Sequence, residues 1–441
     1  MNRKKLFLET YGCQMNFSDS EIVVSILKDN NYDLTQEYKE ADIILMNTCS
    51  IRDHAEQRVL NRLNEFKSLR NKKPEVLIGI IGCMAERMKD DLLNKENVDL
   101  VIGPDAYRDI PKLIEEKISK GQKAINVVLS NIETYDDINP IRYDSNGISA
   151  FISIMRGCEN FCSYCVVPYT RGKERSRNPK TIIKEAQDLF DKGYREITLL
   201  GQNVNSYKWE ENNESVDFPE LLEQTALISN LLRIRFATSH PKDLSDKLLH
   251  TISRHENICD FIHLPFQSGN SRILEKMNRG YNRDWYLNRI HAIKTIIPNC
   301  GLSTDVIAGF CSETEEEHQD TLSLMKEVGY DFAYMFKYSE RPNTYAWKKY
   351  EDDIPEAIKG RRLQEVIDLQ QELSLQSNKK DIGKTFNVLV EGTSKKSKER
   401  LVGRNSQNKV IIFDKKNYKA GDYVNVKVIN CTAATLLGEA I

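Results

Sequence analysis

The sequence has no long apolar run. Its longest apolar stretches, such as VLIGIIG at 76–82, are strand-length, far short of the ~20 residues a membrane helix needs. The first residues, MNRKKLFLETYGC, are basic but carry neither a long apolar stretch nor a small-residue cleavage site, so no signal peptide and no membrane contact are expected. The expected location is cytoplasmic, where disulfides are rare. Histidine is scarce: the seven present form no HxH or HxxxH pair, so sulfur rather than imidazole is the expected metal ligand. With 21 Gly and 12 Pro in 441 residues, collagen-like and low-complexity chains are excluded. Hydrophobic residues at 40% and charged residues at 29% describe a globular chain of about three domains.

What is abundant, for a reducing compartment, is cysteine. Ten cysteines stand at 13, 49, 83, 158, 162, 165, 259, 300, 311 and 431. Clustered cysteines in such a setting argue for metal ligation or catalysis before disulfides. The net charge of −2 also hides an asymmetry. Residues 379–441 hold 13 Lys and Arg against 6 Asp and Glu, and the rest of the chain is acidic. A basic tail domain on an acidic body suggests a polyanion partner or, equally, a lysine-rich solubilising face.

Short apolar strands alternating with helical patterns over 1–119 predict a parallel α/β sheet: KLFLETY (5–11), DIILMN (42–47), VLIGIIG (76–82) and VDLVIG (98–103), with helices between. Residues 120–149 show little periodicity and read as a linker. Six further strand candidates follow within 150–375: AFISIMR, EITLLGQ, RIRFATS, DFIHLPF, LSTDVIAGF and DFAYMFK. Six βα units without a second dinucleotide fingerprint favour a partial (β/α)6 barrel, closed by a helix over about 355–378. Residues 379–441 carry short strands between Gly, Asn and Lys turns, which predicts a small antiparallel β-barrel.

The strongest chemical signal is RGCENFCSYCVVPYTRG, with Cys158, Cys162 and Cys165 spaced C-x3-C-x2-C directly after a strand. Structural zinc and ordinary [4Fe–4S] sites need four protein ligands. Three thiolates packed into eight residues leave one iron of a cubane open for a substrate or cofactor. Tyr164, just before the last cysteine, is placed to shield such a cluster or to stack on an adenine. The alternative is a zinc knuckle completed by a distant ligand. A second set is spread wider: Cys13, Cys49 and Cys83 each follow a predicted strand, 36 and 34 residues apart, about one βα unit each. Each then lies past the C-terminal end of a parallel strand, the rim where open α/β sheets bind ligands. Zinc and iron–sulfur both suit this set by spacing, and buried structural cysteines are the plain alternative.

The segment 150–340 resembles the radical S-adenosylmethionine (SAM) superfamily. YGCQMN (11–16), NTCSIRDHAEQ (47–57) and GCMAER (82–87) resemble the N-terminal domain of the radical-SAM methylthiotransferases, and RGCENFCSYCVVPYTRGKERSR (156–177) resembles their core motif. The basic C-terminal barrel is similar to a TRAM domain, an RNA-binding module, so the resemblance spans essentially the whole chain. Around the first two cysteines it is closest to the MiaB-type branch. The resemblance implies two [4Fe–4S] clusters, one on Cys13, Cys49 and Cys83 and one on Cys158, Cys162 and Cys165. It implies two SAM molecules, one a methyl donor and one a source of 5′-deoxyadenosyl radical. It implies methylthiolation of C2 of N6-isopentenyl(dimethylallyl)adenosine at tRNA position 37, beside the anticodon, with sulfur from the auxiliary cluster. A flavodoxin or ferredoxin as electron donor and a monomeric state go with it. Rival readings are a methylthiotransferase for threonylcarbamoyl-adenosine tRNA or for a ribosomal protein, and a non-enzymatic iron–sulfur RNA-binding protein.

The resemblance also nominates SAM contacts: Gly201, Gln202 and Asn203 ending the second core strand, Arg235 and Ser239 at the third, Gln267 and Ser268 after the fourth, Asp305 in the fifth, and Gly309 beyond it. Two departures stand out. The family's Gly-Phe-Pro-Gly-Glu-Thr is here Gly309-Phe310-Cys311-Ser312-Glu313-Thr314, and its Arg-Pro-Gly-Thr is Arg341-Pro342-Asn343-Thr344. Asn tolerates the left-handed conformation that Gly supplies, so the second turn is expected to survive. Cys259, Cys300, Cys311 and Cys431 lack partner spacing and read as structural. His54 reads as a helix-start residue.

Overall fold

The computed structural model describes residues 3–50, 53–143 and 145–441, with backbone alone at 53–55. The side chain of His54 therefore lies outside the described residues. Two compact units are present: Met1–Asp144 with Met155–Glu159 and Cys165–Thr181, and Ser145–Ile154 with Asn160–Tyr164 and Ile182–Ile441.

The first unit opens with β1 (Lys4–Tyr11), α1 (Gln14–Asp29), β2 (Tyr32–Leu34), β3 (Ile43–Thr48), α2 (Asp53–Arg70), β4 (Leu77–Ile81), α3 (Cys83–Leu93), β5 (Leu100–Ile102), α4 (Ile110–Lys120) and β6 (Ala124–Asn126). The six strands form one sheet in the order β2-β1-β3-β4-β5-β6, all pairs parallel. Strands β3 and β4 are buried at every position. Alternation sends Leu6, Leu8, Ile43 and Leu45 to one core and Phe7, Ile44, Met46 and Ile78 to another. Helices cover both faces, which is why these strands read as unbroken apolar runs. Each such fully buried aliphatic side chain contributes about 1.5–3 kcal/mol.

The expected linker at 120–149 is not one. Residues 124–126 form the sixth strand, and Tyr135 is 1% exposed. The Tyr135 hydroxyl donates to the Pro104 carbonyl (3.0 Å) and accepts from the Tyr107 amide (3.0 Å). Ile138, Ile141 and Tyr143 pack on the core beside it. Isolated anchors in otherwise irregular chain leave no period for a sequence pattern to show.

The chain continues through β7 (Ser149–Ser153), β8 (Met155–Arg156), α5 (Val167–Arg171), β9 (Arg175–Ser176), α6 (Pro179–Asp191), β10 (Glu196–Leu200), β11 (Lys208–Glu211), β12 (Glu214–Asp217), α7 (Phe218–Ala226) and β13 (Arg233–Phe236). It then runs through α8 (Asp246–Arg254), β14 (Phe261–His263), α9 (Ser271–Lys276), α10 (Arg283–Ile296), β15 (Gly301–Ala308), α11 (Glu315–Val328), β16 (Phe332–Lys337), α12 (Tyr345–Lys349) and α13 (Glu356–Lys379). In the second unit, β7, β10 and β13 make one parallel three-stranded sheet, and β14, β15 and β16 another. A parallel bridge from Ile234 to Ile258 carries the first toward the second. These are the six strands of the expected partial barrel. The β11–β12 hairpin is an insertion that its short, exposed, charged strands hid from the sequence pattern.

The C-terminal residues form a closed barrel of β17 (Thr385–Thr393), β18 (Arg400–Arg404), β19 (Val410–Asp414), β20 (Tyr423–Cys431) and β21 (Leu436–Ala440), in the order β17-β18-β19-β21-β20. The expected all-antiparallel pairing is corrected at one seam: β19 and β21 run parallel. The closing strand, LLGEA, is too short and mixed to stand out in sequence. The barrel rests on the N-terminal ends of the preceding strands. Arg233 donates to the Arg404 carbonyl (2.7 Å) while its guanidinium lies over the Tyr423 ring (5.1 Å), and Lys409 meets Asp381 (2.6 Å) and Asp331 (3.1 Å).

Candidate active site

In the first unit, Cys13, Cys49 and Cys83 follow β1, β3 and β4, three strands adjacent in the sheet. The turn that brings the first two together demands glycine. Gly12 has φ +119°, and a Cβ there would stand 2.4 Å from the Cys49 Cβ. Gly12→Ala is expected to displace Cys49 and lower the iron bound after anaerobic reconstitution, measured as iron per chain. The Cys13 thiol donates to Asn16 Oδ1 (3.1 Å). Its hydrogen bond with Cys49, helped by the charge of Arg171, brings it down to about 6 against the opposing effect of burial. Burial pushes the Cys83 thiol up, and the Arg171 guanidinium opposes this.

Arg171 ends α5, six residues after Cys165. Its Nε donates to Cys83 Sγ (3.1 Å) and its Nη2 to Asp19 Oδ2 (2.7 Å). Arg156 Nη1 takes the other Asp19 oxygen (2.8 Å), and Arg175 holds Asp105 (2.7 Å). Burial alone would raise the Asp19 carboxyl, but the two guanidinium groups hold it below the usual carboxylate range. Three buried arginines face two buried aspartates, an excess of positive charge beside the thiols. A [4Fe–4S]2+ core on three thiolates carries one negative charge, so the donor set and its surroundings fit such a group. Arg171 Nη1, buried and without a hydrogen-bond partner among the described residues, is a further donor available to it. Among the described residues, no three His, Cys, Asp or Glu side chains are grouped as ligands of one metal ion. Thiols set on separate strand ends suit a cluster, where each takes its own iron, better than a single zinc.

Of the loop cysteines, Cys158 and Cys165 belong to the first unit and Cys162 to the second. Gly157 before them has φ +84°, and a Cβ there would fall 1.8 Å from the Lys173 carbonyl. The Cys158 amide donates to the Gly172 carbonyl (3.1 Å). Cys162 accepts from Arg279 Nη1 (3.1 Å), a buried guanidinium that also reaches the Tyr164 hydroxyl (3.3 Å) and the Pro265 carbonyl (2.9 Å). Tyr164 meets Phe310 edge-on, with ring centroids 6.4 Å apart.

The nominated SAM contacts divide. Gln202 Oε1 and Gln267 Oε1 are buried without a hydrogen-bond partner among the described residues, as are Asn205 Nδ2 and His240 Nε2. All four stand just past the C-terminal ends of β10, β13 and β14. Four orphaned polar atoms at strand ends are costly unless a polar ligand meets them, so this rim fits SAM. Asn203 is spent on the loop itself, donating to Asp243 Oδ2 (2.6 Å) and accepting the His240 amide (3.1 Å). The Gly201 carbonyl accepts from Thr238 (2.6 Å), and Ser239 donates to Asn205 Oδ1 (3.3 Å). The Ser268 hydroxyl accepts the Asn270 amide (3.3 Å), and the Gly309 amide donates to Glu313 Oε2 (2.7 Å). Asp305 lies mid-strand, 3.5 Å from His263 Nε2. Arg235 departs from its expected role. Its guanidinium binds Glu196 (2.8 Å) and the carbonyls of Asn405 (2.7 Å) and Ser406 (3.2 Å), because the C-terminal barrel's β18–β19 loop occupies its surroundings.

Both departures from the family turns keep the glycine conformation. Asn343 takes φ +72° and Ser312 φ +63°. Ser312 is held there by Arg272 on its carbonyl (2.7 Å) and by Asp353 on its amide (2.6 Å). Cys259 and Cys311 are buried, and burial pushes both thiols up, Cys259 to about 11. Arg156, Arg171, Arg279, Asp19 and His240 were not singled out by the sequence reading. Arg156 and Arg171 sit inside the quoted cysteine motif, but their partner Asp19 is more than 130 residues away.

Comparison with known proteins agrees with this geometry. Residues 5–103 match the uncharacterized protein family UPF0004, residues 152–325 the radical SAM superfamily, and residues 379–441 the TRAM domain. Of solved structures, the radical SAM methyltransferase TsrM from Kitasatospora setae is similar at TM-score 0.58 and 11% identity, covering 78% of this chain and 77% of that one. The cobalamin-dependent radical enzyme OxsB follows at TM-score 0.52 and 13% identity, covering 83% and 56%. At such identities these likenesses show the fold: a radical SAM core. Curated relatives are far closer. The tRNA-2-methylthio-N(6)-dimethylallyladenosine synthase of Parabacteroides distasonis is 57% identical over 440 residues, 100% of this chain and 96% of its own. That of Porphyromonas gingivalis is 53% identical over 441, covering 99% and 95%. The chain belongs to the family of tRNA-2-methylthio-N(6)-dimethylallyladenosine synthases.

Proposed function

We propose that this chain transfers a methylthio group to C2 of N6-dimethylallyladenosine at position 37 of tRNA. The observation that supports the reading is the position of Cys13, Cys49 and Cys83 just past the ends of three adjacent strands, in a chain that also holds the C-x3-C-x2-C loop. When bound, two [4Fe–4S] clusters and SAM supply sulfur, methyl and the one-electron chemistry that an unactivated adenine C–H bond requires. Cys13, Cys49 and Cys83 would hold the auxiliary cluster, and Cys158, Cys162 and Cys165 the SAM-binding one. Arg171 donates to Cys83 Sγ and Arg279 to Cys162 Sγ, so each proposed cluster has a buried guanidinium held against one of its sulfurs. Gln202, Gln267, Asn205 and His240 would receive the polar groups of SAM. Residues 379–441, the TRAM barrel with its net positive charge, would hold tRNA through phosphates. Within this division 1–119 serves sulfur insertion and 150–375 radical generation, while an electron donor of flavodoxin or ferredoxin type acts on a monomer in the cytoplasm. No described helix is long and apolar enough to cross a membrane.

Cys162→Ala is expected to abolish 5′-deoxyadenosine formation from SAM under reduction while leaving RNA affinity within about twofold, read by chromatography and by binding titration. Release of 5′-deoxyadenosine by the variant would overturn the assignment of the loop. Methylthiolation of a ribosomal protein in place of isopentenylated tRNA would move the chain to the protein-modifying branch.

A further inference from the structure

Strand β16 shows an unusual face. Phe332, Tyr334 and Phe336 alternate along it and are 49%, 46% and 38% exposed, while Ala333 between them is buried at 1%. Helix α13 packs on the same strand, fixed by Gln370 and Ser374 on the carbonyls of Tyr330 (3.0 Å) and Asp331 (2.8 Å). Only one edge of β16 is paired among the described residues, to β15. Three large rings left toward solvent on an edge strand are an exposed patch of the kind that marks an interaction site.

The register adds polar groups. Phe332 is paired with Ser303, Tyr334 with Asp305 and Phe336 with Ile307, and residues in register share a face. His263 on β14 is paired with Ser303, bonds its hydroxyl (2.8 Å), and meets the Tyr334 ring edge-on at 5.8 Å. The face therefore offers aromatic surface beside a half-buried carboxylate and an imidazole. Its two ends are also defined. Asp331, the residue before Phe332, is bound by Lys409 of the basic C-terminal barrel (3.1 Å). At the other end, Ile307 follows Val306, which bridges to Gln267, one of the orphaned rim residues. The Phe332 and Tyr334 rings meet edge to face with centroids 4.9 Å apart, so an unpaired base has that pair as one platform and Phe336, two residues further along the strand, as a second.

We propose that Phe332, Tyr334 and Phe336 form a stacking track for unpaired nucleotides of the RNA substrate, running from the C-terminal barrel to the SAM-facing rim, with Asp305 and His263 meeting base edges. The inference rests on the tRNA reading above and specifies how that substrate is held. Unpaired bases stack on aromatic side chains and present their edges to polar groups, whereas duplex RNA offers mainly phosphates and 2′-hydroxyls. A protein partner would leave the basic barrel at one end of the track without a role.

The test uses the full chain, anaerobically reconstituted, with a labelled anticodon stem–loop carrying N6-dimethylallyladenosine and a fully paired RNA of equal length. Alanine at each of the three positions, singly and together, is compared with Tyr334→Phe by fluorescence anisotropy across a salt series. Each alanine is expected to weaken stem–loop binding about fivefold or more, and the triple variant about a hundredfold. Tyr334→Phe should stay within about twofold. Duplex affinity, iron content and the slope of log affinity against log salt should not change, since rings release no counterions. Wild-type affinity in the triple variant would overturn the track. So would equal losses on stem–loop and duplex, or a change from dimer to monomer in sedimentation without loss of RNA affinity. A wild-type protein that binds neither RNA would sink the tRNA reading itself, and the track with it.

Discussion

Asp19→Ala should cost about 3–5 kcal/mol of stability, more than any surface substitution in the chain. Asp19 is fully buried between Arg156 (2.8 Å) and Arg171 (2.7 Å), which are 0% and 2% exposed. The Tyr107 hydroxyl donates to the same carboxylate (3.2 Å). Removing it leaves two desolvated guanidinium groups, with the Cys83 thiol beside Arg171 (3.1 Å) and the more distant Asp105 (3.7 Å from Arg156) to answer them. The measurement is the urea midpoint of the metal-free protein, so that loss of bound metal does not enter the comparison. An unchanged midpoint would mean that water or a rearranged Asp105 compensates the charges. Asp19→Asn should fall between, because it keeps the shape and one acceptor but loses the charge. The same variants should retain less iron, since Arg171 is the group that contacts Cys83.

The sequence made some of this legible and not the rest, for identifiable reasons. Strands β3 and β4 are buried throughout and β1 is buried at Leu6–Leu8, so all three carry apolar runs, and their existence and the rim positions of Cys13, Cys49 and Cys83 followed from pattern alone. Strands β2 and β6 did not: each spans three residues with a polar or exposed member, whereas β5, equally short, is apolar and buried throughout. The segment 120–149 failed for another reason. Its burial hangs on Tyr135, Ile138, Ile141 and Tyr143, at intervals of three, three and two, which follow neither a strand nor a helix period throughout. The placement of Cys13, Cys49 and Cys83 was readable because each follows an apolar run, and Cys158, Cys162 and Cys165 stood out because their spacing is local. Their supporting charges were not, since Asp19 meets Arg156 and Arg171 across 137 and 152 residues. Arg235 was misjudged because strand position alone does not say which end of the strand its long side chain serves. Here it reaches the loop of a domain beginning more than 140 residues later.

The largest functional effect is expected from replacing Cys13, Cys49 and Cys83 together by Ala. Iron after anaerobic reconstitution should fall from about eight to about four per chain, the content of one [4Fe–4S] cluster in place of two. The variant should still release 5′-deoxyadenosine from SAM, because the loop cysteines and Arg279 remain, yet form no methylthiolated tRNA. Single replacements should grade by environment. Cys83→Ala also deprives Arg171 of an acceptor (3.1 Å), leaving a buried cation with Asp19 as its remaining bonded partner. It should therefore lower both iron and stability. Cys13, half-buried at the start of α1, loses only the Asn16 hydrogen bond (3.1 Å) and its contact with Cys49, so Cys13→Ala should cost iron with little change in the unfolding midpoint. Four irons in wild type and variant alike would make these three thiols structural. The chain would then hold a radical source without a sulfur source, and the transfer of sulfur to adenine would have to draw on a donor outside its own cysteines.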